Sequence, residues 1–420
     1  MKIAVIGLGY IGLPTAAVLA RAGAEVIGVD VSDRHVAAVN RGELPFVEVG
    51  LGDVVADVVA RGSLRAQAET PPADAYIVAV PTPFKGTEHE ADLSYIEAAA
   101  RAIAPQLVGD ELVVLESTSP PGATEHMAEV ILAERPDLSL NGSEGRAVVH
   151  FAHCPERVLP GRIMVEMVSN DRIIGGLTPK AAEMAREVYA TFCEGELVLT
   201  DAKTAEMAKL VENSFRDVNI AFANELSILC EKLDIDVWEL IQLANRHPRV
   251  NILNPGPGVG GHCIAVDPWF IVSALPQEAR LIRTAREVND SKPGYVIEQV
   301  RKAVEGIQNP VIAALGLAFK ADIDDLRESP ALSITKELAG FLPNSVVLAV
   351  EPNVDVLPAK LMDVANVELA RVEDAIKRAD VVVLLVDHKE FAELSKEKFG
   401  AKLVIDTRGV WSAGGGGVEE

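Results

Sequence analysis

Apolar and polar positions follow two rhythms along this chain, and the change between them divides it. Over the first half, short apolar runs at Ile3–Ile6, Glu25–Val29, Ala75–Val80, Leu112–Leu115 and Val148–Ala152 alternate with stretches of helical spacing. Apolar runs of that length between helices predict βαβ units around a mostly parallel sheet, because strands buried on both faces show no polar alternation. From about Asp201 the period becomes helical: Ala205, Ala208, Leu210, Val211, Phe215, Val218, Ala221, Phe222, Leu226, Leu229 and Leu233 recur at helical spacing without a proline. A helix of that length bridges domains or lines a subunit interface. The Pro-, Gly- and Asn-rich stretch Asn245–Asp267 predicts an ordered loop. A second α/β pattern follows, with strands at Val311–Leu315, Val346–Val350, Val381–Val386 and Leu403–Ile405, before a glycine-rich tail from Ser412 that is expected to fray. The predicted fold class is α/β: two Rossmann-like, doubly wound parallel-sheet domains joined by a long central helix. The expected boundaries are 1–198, 199–300 and 301–420.

Composition narrows the partners. The chain has 420 residues and a formal net charge of -23, which argues against nucleic acid or an anionic membrane as a partner. An anionic ligand would need locally built sites, from helix N-termini and a few Lys or Arg. No apolar run approaches the roughly 20 residues of a membrane span. The opening Met1-Lys2-Ile3-Ala4-Val5-Ile6-Gly7 reads as a strand start rather than a signal peptide. Cys154, Cys193, Cys230 and Cys263 are scattered without CxxC spacing, which predicts neither a disulfide framework nor a metal site. The expected setting is cytoplasmic.

Gly7-Leu8-Gly9-Tyr10-Ile11-Gly12 follows a strand and opens a helix, and Asp30 closes the next strand. In a dinucleotide fold the first glycine makes the turn, the second admits the pyrophosphate and the third lets helix and strand pack closely. Asp30 would accept from a ribose hydroxyl and repel a 2′-phosphate, so NAD is expected rather than NADP. Val80-Pro81-Thr82-Pro83 and Glu116-Ser117-Thr118 follow later strands, where a doubly wound sheet places its ligands.

The run Pro255-Gly256-Pro257-Gly258-Val259-Gly260-Gly261-His262-Cys263-Ile264-Ala265-Val266-Asp267 sets one thiol and one carboxylate on a glycine-rich loop. Backbone N–H groups around Cys263 would favour a thiolate. The residues alone leave open that Cys263 is an inert filler. Cys230 lies on the apolar stripe of the long helix, and nothing marks Cys154 or Cys193 as activated. Lys209 and Asn213 share one helix face, although a helical lysine is commonly a solvated charge. His247 and His262 read as loop-structuring residues.

Together these motifs resemble the nucleotide-sugar dehydrogenases that oxidise the C6 alcohol of a UDP-hexose to a carboxylate. The resemblance runs from Met1 to about Trp411. It adds Cys154-Pro155-Glu156-Arg157-Val158-Leu159-Pro160-Gly161, Lys209-Leu210-Val211-Glu212-Asn213, Gly316-Leu317-Ala318-Phe319-Lys320 and Arg327-Glu328-Ser329-Pro330 to the motifs above. Asn245–Ile252 and Ala265–Phe270 look most like the branch acting on UDP-N-acetyl-D-mannosamine, with UDP-N-acetylglucosamine or UDP-glucose as alternatives. UDP-glucose enzymes carry a second glutamate where Pro160 stands, so that glutamate's role does not transfer.

The resemblance implies a catalytic set of Cys263 as nucleophile, Lys209 and Asn213 at the oxyanion, Asp267 holding a water, and Glu156 with Thr118 at the hydrolytic water. It implies NAD contacts from Gly7, Gly9, Tyr10, Ile11, Gly12, Asp30, Pro81, Thr82, Thr118 and Lys320. For the UDP-sugar substrate it implies Glu156, Arg157, Val158, Lys209, Asn213, Arg249, Asn254, Gly260, Lys320, Arg327 and Arg408. It also implies a homodimer or higher homo-oligomer through the long helix. A simple two-electron hydroxyacid dehydrogenase, or a module that binds NAD without turnover, would need no loop cysteine.

Overall fold

The computed structural model describes residues 1–46, 48–86, 89–159, 161–261 and 264–412. His262 and Cys263, Pro160 and the tail beyond Ser412 therefore lie outside the described residues. The chain forms two compact units, Met1–Glu212 and Asn213–Glu420.

The first unit is built on β1 (Lys2–Ile6), β2 (Glu25–Val29), β3 (Leu64–Gln67), β4 (Ala75–Val78), β5 (Leu112–Leu115), β6 (His150–His153), β7 (Arg172–Gly176) and β8 (Leu197–Asp201). They form one sheet in the order β8-β7-β6-β5-β4-β1-β2-β3. The chain therefore leaves β1 in one direction and, after β3, returns to β4 on its other side. That reversal opens a crevice at the strands' C-terminal ends. All pairs are parallel except β6 with β7, which is antiparallel with Ala152 opposite Gly176 and His153 opposite Gly175. Strands β1, β4 and β5 are apolar and buried almost throughout, as a sheet covered by helices on both faces requires. Helices α1 (Gly12–Arg21) and α2 (Pro179–Tyr189) pack here; Thr178 caps α2 by accepting from the Ala181 N–H at 3.2 Å.

The predicted long helix is α3, Ala202–Leu233. In its first turns Glu206 is buried and accepts from the N–H groups of Gly122 and Thr124 and from the Thr124 hydroxyl, at 2.6–2.7 Å. Past Glu212 its amphipathicity departs from what apolar spacing suggests. Ser214, Asp217, Ala221 and Asn224 are buried, whereas Phe215, Phe222, Leu229 and Leu233 are exposed. A polar stripe faces inward and an apolar stripe faces outward.

The second unit holds β9 (Val311–Leu315), β10 (Val346–Val350), β11 (Val367–Leu369), β12 (Val381–Leu384) and β13 (Leu403–Asp406), all parallel, in the order β11-β10-β9-β12-β13. Helices α4 (Val237–Ala244), α5 (Asp267–Ala274), α6 (Arg280–Ala303) and α7 (Pro330–Phe341) accompany them. Between α4 and α5 there is no regular element among the described residues, in line with the expected loop. Helix α6 runs on through Lys292-Pro293-Gly294, a triplet that ordinarily breaks helices.

The inward polar stripe of α3 meets α6. Asp217 and Arg286 are both fully buried and form an ion pair. Asn289 donates to the Asp217 carboxylate at 2.8 Å and to its carbonyl at 3.0 Å, and Asn224 donates to Asn289 at 2.8 Å. The network reaches the loop at two points. Gly256 N–H donates to Asn224 at 2.9 Å, and the Ile264 carbonyl accepts from Arg286 at 3.4 Å. Both shoulders of the segment that carries Cys263 are thus tied to one buried polar cluster.

Breaking a buried ion pair from one side strands the other charge, which costs about 3–5 kcal/mol. Arg286→Met should lower the unfolding free energy by about that amount, while the double variant Asp217→Leu/Arg286→Met should recover much of it. Urea unfolding curves for the three proteins check this; a single variant within about 1 kcal/mol of the parent would contradict it.

Candidate active site

The crevice of the first unit is lined by its glycine turn. Gly7 has φ +94°, and a Cβ there would lie 2.5 Å from the Ala79 carbonyl oxygen. A Cβ on Gly12 would lie 1.9 Å from the Gly7 carbonyl oxygen, so α1 approaches the turn more closely than any side chain allows. A Cβ on Gly9 would meet nothing within 4 Å. The open space is therefore at Gly9, the glycine expected to admit a pyrophosphate, beside the N-terminus of α1. Asp30 is pinned at the end of β2, accepting from Leu8 N–H and Ser32 N–H at 2.8 Å each. Tyr10 is partly exposed and stacks on Phe46 at 4.2 Å. Across the crevice Thr82 donates to the Thr118 carbonyl at 2.5 Å, and Ser117 donates to the Val80 carbonyl at 2.7 Å. Gly7, Gly12, Asp30, Thr82 and Thr118 thus gather at the C-terminal ends of β1, β2, β4 and β5, and these residues fit a dinucleotide without a 2′-phosphate.

Glu156 follows β6 and is buried. Its Oε1 accepts from Arg157 N–H and its Oε2 from Arg172, each at 2.8 Å. The Arg157 guanidinium forks onto Glu212 at 2.9 and 3.1 Å. Val158 packs beside Ile163 and Met167. Cys154 is fully buried, and burial pushes its thiol up to about 12, which leaves it protonated and unreactive.

On α3, Lys209 is half-buried, and its ammonium has no hydrogen-bond or ion-pair partner among the described residues. One turn on, Asn213 donates to the carboxylate of Asp267 at 2.5 Å. Asp267 is buried in the first turn of α5 with Pro268 behind it.

The glycine loop is wedged within the second unit. A Cβ on Gly258 would lie 3.0 Å from Pro330 and 3.1 Å from Pro293; one on Gly260 would lie 2.6 Å from Pro330 and 2.7 Å from the Glu328 carbonyl. Gly261, at φ +87°, donates to that same carbonyl at 3.3 Å. The stretch Arg327–Pro330 is thereby a wall of the cysteine loop, with Ser329 capping α7. Arg327 forks onto Asp325 and Arg408 onto Asp387, while a Cβ on Gly256 would fall 2.8 Å from Arg408. Lys320, Arg249 and Asn254 are exposed. The loop thus meets Arg408 at Gly256 and the Glu328–Pro330 stretch at Gly260 and Gly261.

Sequence reasoning missed Arg172, Asp217, Arg286 and Asn289. One signal was present: Asp217 and Asn224 are seven apart on a helix, so two polar groups repeat on one face. Nothing comparable marks Arg172.

Comparison with known proteins gives a consistent result. The NAD binding domain of the UDP-glucose/GDP-mannose dehydrogenase family matches residues 1–193, its central domain 203–291 and its UDP binding domain 313–413. The chain is 58% identical over 412 residues to an NDP-N-acetyl-D-galactosaminuronic acid dehydrogenase of Ralstonia nicotianae, covering 98% of this chain and 96% of the relative. It is also 58% identical over 398 residues to a UDP-N-acetyl-D-mannosamine dehydrogenase of Campylobacter jejuni, covering 94% and 98%. Among solved structures, the UDP-D-ManNAc dehydrogenase of Pyrococcus horikoshii superposes with a TM-score of 0.85 at 38% identity, covering 98% of this chain and 96% of the other.

The two glycines next to the crevice should separate binding from folding. Gly9→Val projects into open space, so the melting temperature should stay near the parent's while NAD affinity, measured calorimetrically, falls more than tenfold, a loss of about 1.4 kcal/mol or more. Gly12→Val should fail to fold at all. Equal effects of the two would refute the assignment.

Proposed function

The chain belongs to the UDP-glucose/GDP-mannose dehydrogenase family, and from that premise we propose that it oxidises the C6 alcohol of UDP-N-acetyl-D-mannosamine to the uronate in two steps. The observation that carries the reading is the short contact of Asn213 with buried Asp267, one helical turn from Lys209, whose ammonium has no partner among the described residues. NAD, when bound, accepts a hydride in each of the two oxidations. Gly7–Gly12, Asp30, Pro81, Thr82 and Thr118 would hold it, with Lys320 as a further contact.

In the first oxidation a water on Asp267 takes the hydroxyl proton, and the Lys209 ammonium with the second N–H of the Asn213 amide stabilises the oxyanion. A cation and an amide aimed at developing charge each supply about 2–4 kcal/mol. The Cys263 thiolate then adds to the aldehyde carbon, giving a thiohemiacetal. This addition matters because the sulfur-bound carbon, now carrying an oxyanion, can expel its hydrogen as hydride and leave a thioester. Water cleaves the C–S bond, returning the thiol and releasing the carboxylate, with Glu156 as base and Thr118 orienting the water. Arg327 and Arg408, with Lys320, Arg249 and Asn254, would meet the uridine diphosphate.

Parts 1–198, 199–300 and 301–420 would divide the work between dinucleotide, thiol loop with central helix, and nucleotide-sugar. Among the described residues no helix is long and apolar enough to cross a membrane, and a cytoplasmic setting suits a reactive thiol. The two relatives at 58% identity carry different sugar names, so UDP-N-acetyl-D-galactosamine is the second reading.

Purified protein should release two NADH per sugar oxidised, and Cys263→Ser should lose at least a thousandfold in acid formation, about 4 kcal/mol of barrier. Near-parental uronate production by that variant would end the covalent scheme. A panel of UDP-N-acetylmannosamine, UDP-N-acetylgalactosamine, UDP-N-acetylglucosamine and UDP-glucose should show highest kcat/KM on the first; preference for another overturns the sugar and leaves the chemistry.

The outward apolar stripe of α3, with Phe215 69% and Phe222 52% exposed, suits a second copy of this chain in a homodimer. Phe222→Glu should then shift the sedimenting species from dimer to monomer, and an unchanged parental dimer would exclude that interface.

A further inference from the structure

Glu156 does not stand alone in the first unit. The antiparallel register of β6 and β7, run on past the strand ends, sets Arg172 opposite Glu156. The guanidinium of Arg172 lies 2.8 Å from the Glu156 Oε2 and 3.9 Å from the Oε1 of Glu116, a residue at the end of β5. It also lies over the rings of Tyr189 and Phe192, at 4.9 and 5.2 Å. Glu116 is buried. Its Oε2 is 2.9 Å from the hydroxyl of Thr15, on α1, and its Oε1 is 3.2 Å from the hydroxyl of Tyr189, on α2. The groups facing Glu116 are therefore Thr15, Tyr189, Cys154, Glu156 and Arg172, and Arg172 is the one cation among them. The Cys154 thiol and the Tyr189 hydroxyl are both held protonated by burial.

One guanidinium cannot neutralise two carboxylates in a desolvated pocket, so the pair retains a proton. That proton belongs on the more deeply enclosed group, Glu116. Burial first and the Glu156 charge second push Glu116 up to about 8, against the pull of Arg172. Both neighbouring hydroxyls can accept as well as donate, so a protonated Glu116 loses no hydrogen bond.

We propose that Glu116 and Arg172 are positioning residues for Glu156: the one guanidinium shared by the two buried carboxylates holds Glu156 aimed as the base of thioester hydrolysis as long as Glu116 does not compete for it. The inference rests on the reading of Glu156 as that base. Raising the pH through the ionisation of Glu116 creates a second carboxylate that competes for Arg172 and frees Glu156 from its fixed orientation. The alkaline limb of turnover therefore reports a group that never touches the substrate.

Three variants of the full-length protein separate the outcomes. Glu116→Gln fixes the neutral form, and the alkaline fall in kcat should move upward by at least one pH unit. Arg172→Lys should lose more than tenfold in kcat with less than a threefold change in sugar KM. Infrared difference spectra at neutral pH should show a protonated carboxyl band in the parent that is absent from Glu116→Gln. An unmoved alkaline limb, or a carboxyl band that survives in Glu116→Gln, overturns the proposal. Glu156→Gln tests the underlying reading separately: full hydrolysis by that variant removes Glu156 as base, whatever Glu116 does. Because Gln matches the shape of the neutral acid, Glu116→Gln should also withstand denaturant better than the parent at pH 9, which a purely structural hydrogen bond would not produce.

Discussion

A guanidinium taken out of water can be kept only where carboxylates from other segments come to meet it, and each unit of this protein is organised round one such group. Arg286 in the second unit and Arg172 in the first are almost completely buried. Neither is a source of net stability, since a buried ion pair commonly does no better than apolar side chains of equal volume. What such a pair supplies is a fixed relation between segments that apolar packing alone would leave free to slide. Arg286, through Asp217, Asn289 and Asn224, ties down Gly256 and Ile264. Arg172 fixes the carboxylate of Glu156 in the turn after β6. The segments proposed to react are loops and turns, and the polar cores beneath them give those loops a single geometry.

The two units also repeat one device with different results. Strand order 3-2-1-4-5 occurs in both sheets, and in both a carboxylate at the end of the second strand clamps the glycine turn after the first. Asp30 accepts from Leu8 N–H and remains half-buried at the crevice. Glu351 accepts from Leu317 and Ala318 N–H at 2.7 and 3.0 Å and is sealed in with His388 at 3.1 Å. Burial works against its ionisation, yet His388 and the Leu317 N–H outweigh it and hold the carboxyl below its usual range. The first turn leaves Asp30 at the crevice as the proposed acceptor for a ribose. The second has its turn amides occupied, so phosphate charge there must be met by side chains.

Legibility from sequence followed burial. Strands β1, β4, β5, β9 and β12 are apolar runs shielded on both sides, and their period announces them. Leu64–Gln67 carries an exposed arginine and a glutamine, and Leu197–Asp201 is an edge strand without a buried residue, so neither stands out. Helix α6 hides behind Pro293, whose ring packs against the position a Gly258 side chain would fill. The glycine turn and Asp30 stand out because their pattern is tied to local spacing, whereas Lys209, Asn213 and Asp267 are singled out through the family resemblance. Arg172 was not, because its partners come from β5, β6 and α2, and no local pattern encodes that convergence. The long helix was legible in length and misleading in facing: its polar stripe is the buried one, since a partner network from α6 outcompetes apolar burial there.

That inversion, together with the net charge of -23, bears on how so acidic a protein can hold a dianionic nucleotide. Arg327 and Arg408 already carry carboxylate partners, Asp325 and Asp387, in forked geometry. A guanidinium fork presents the same pair of N–H groups to a phosphate as to a carboxylate. If these two arginines take the diphosphate as proposed, binding exchanges one anion for another on a preformed fork, with no bare cationic surface needed beforehand. A displaced aspartate would move toward water, where its solvation offsets much of the lost ion pair, since partly exposed pairs are worth about 0–1 kcal/mol. The global field disfavours the incoming anion at long range, but salt screens it beyond about 8–10 Å. Gly256 in turn lets the Arg408 fork approach the loop backbone, where a side chain would collide with it.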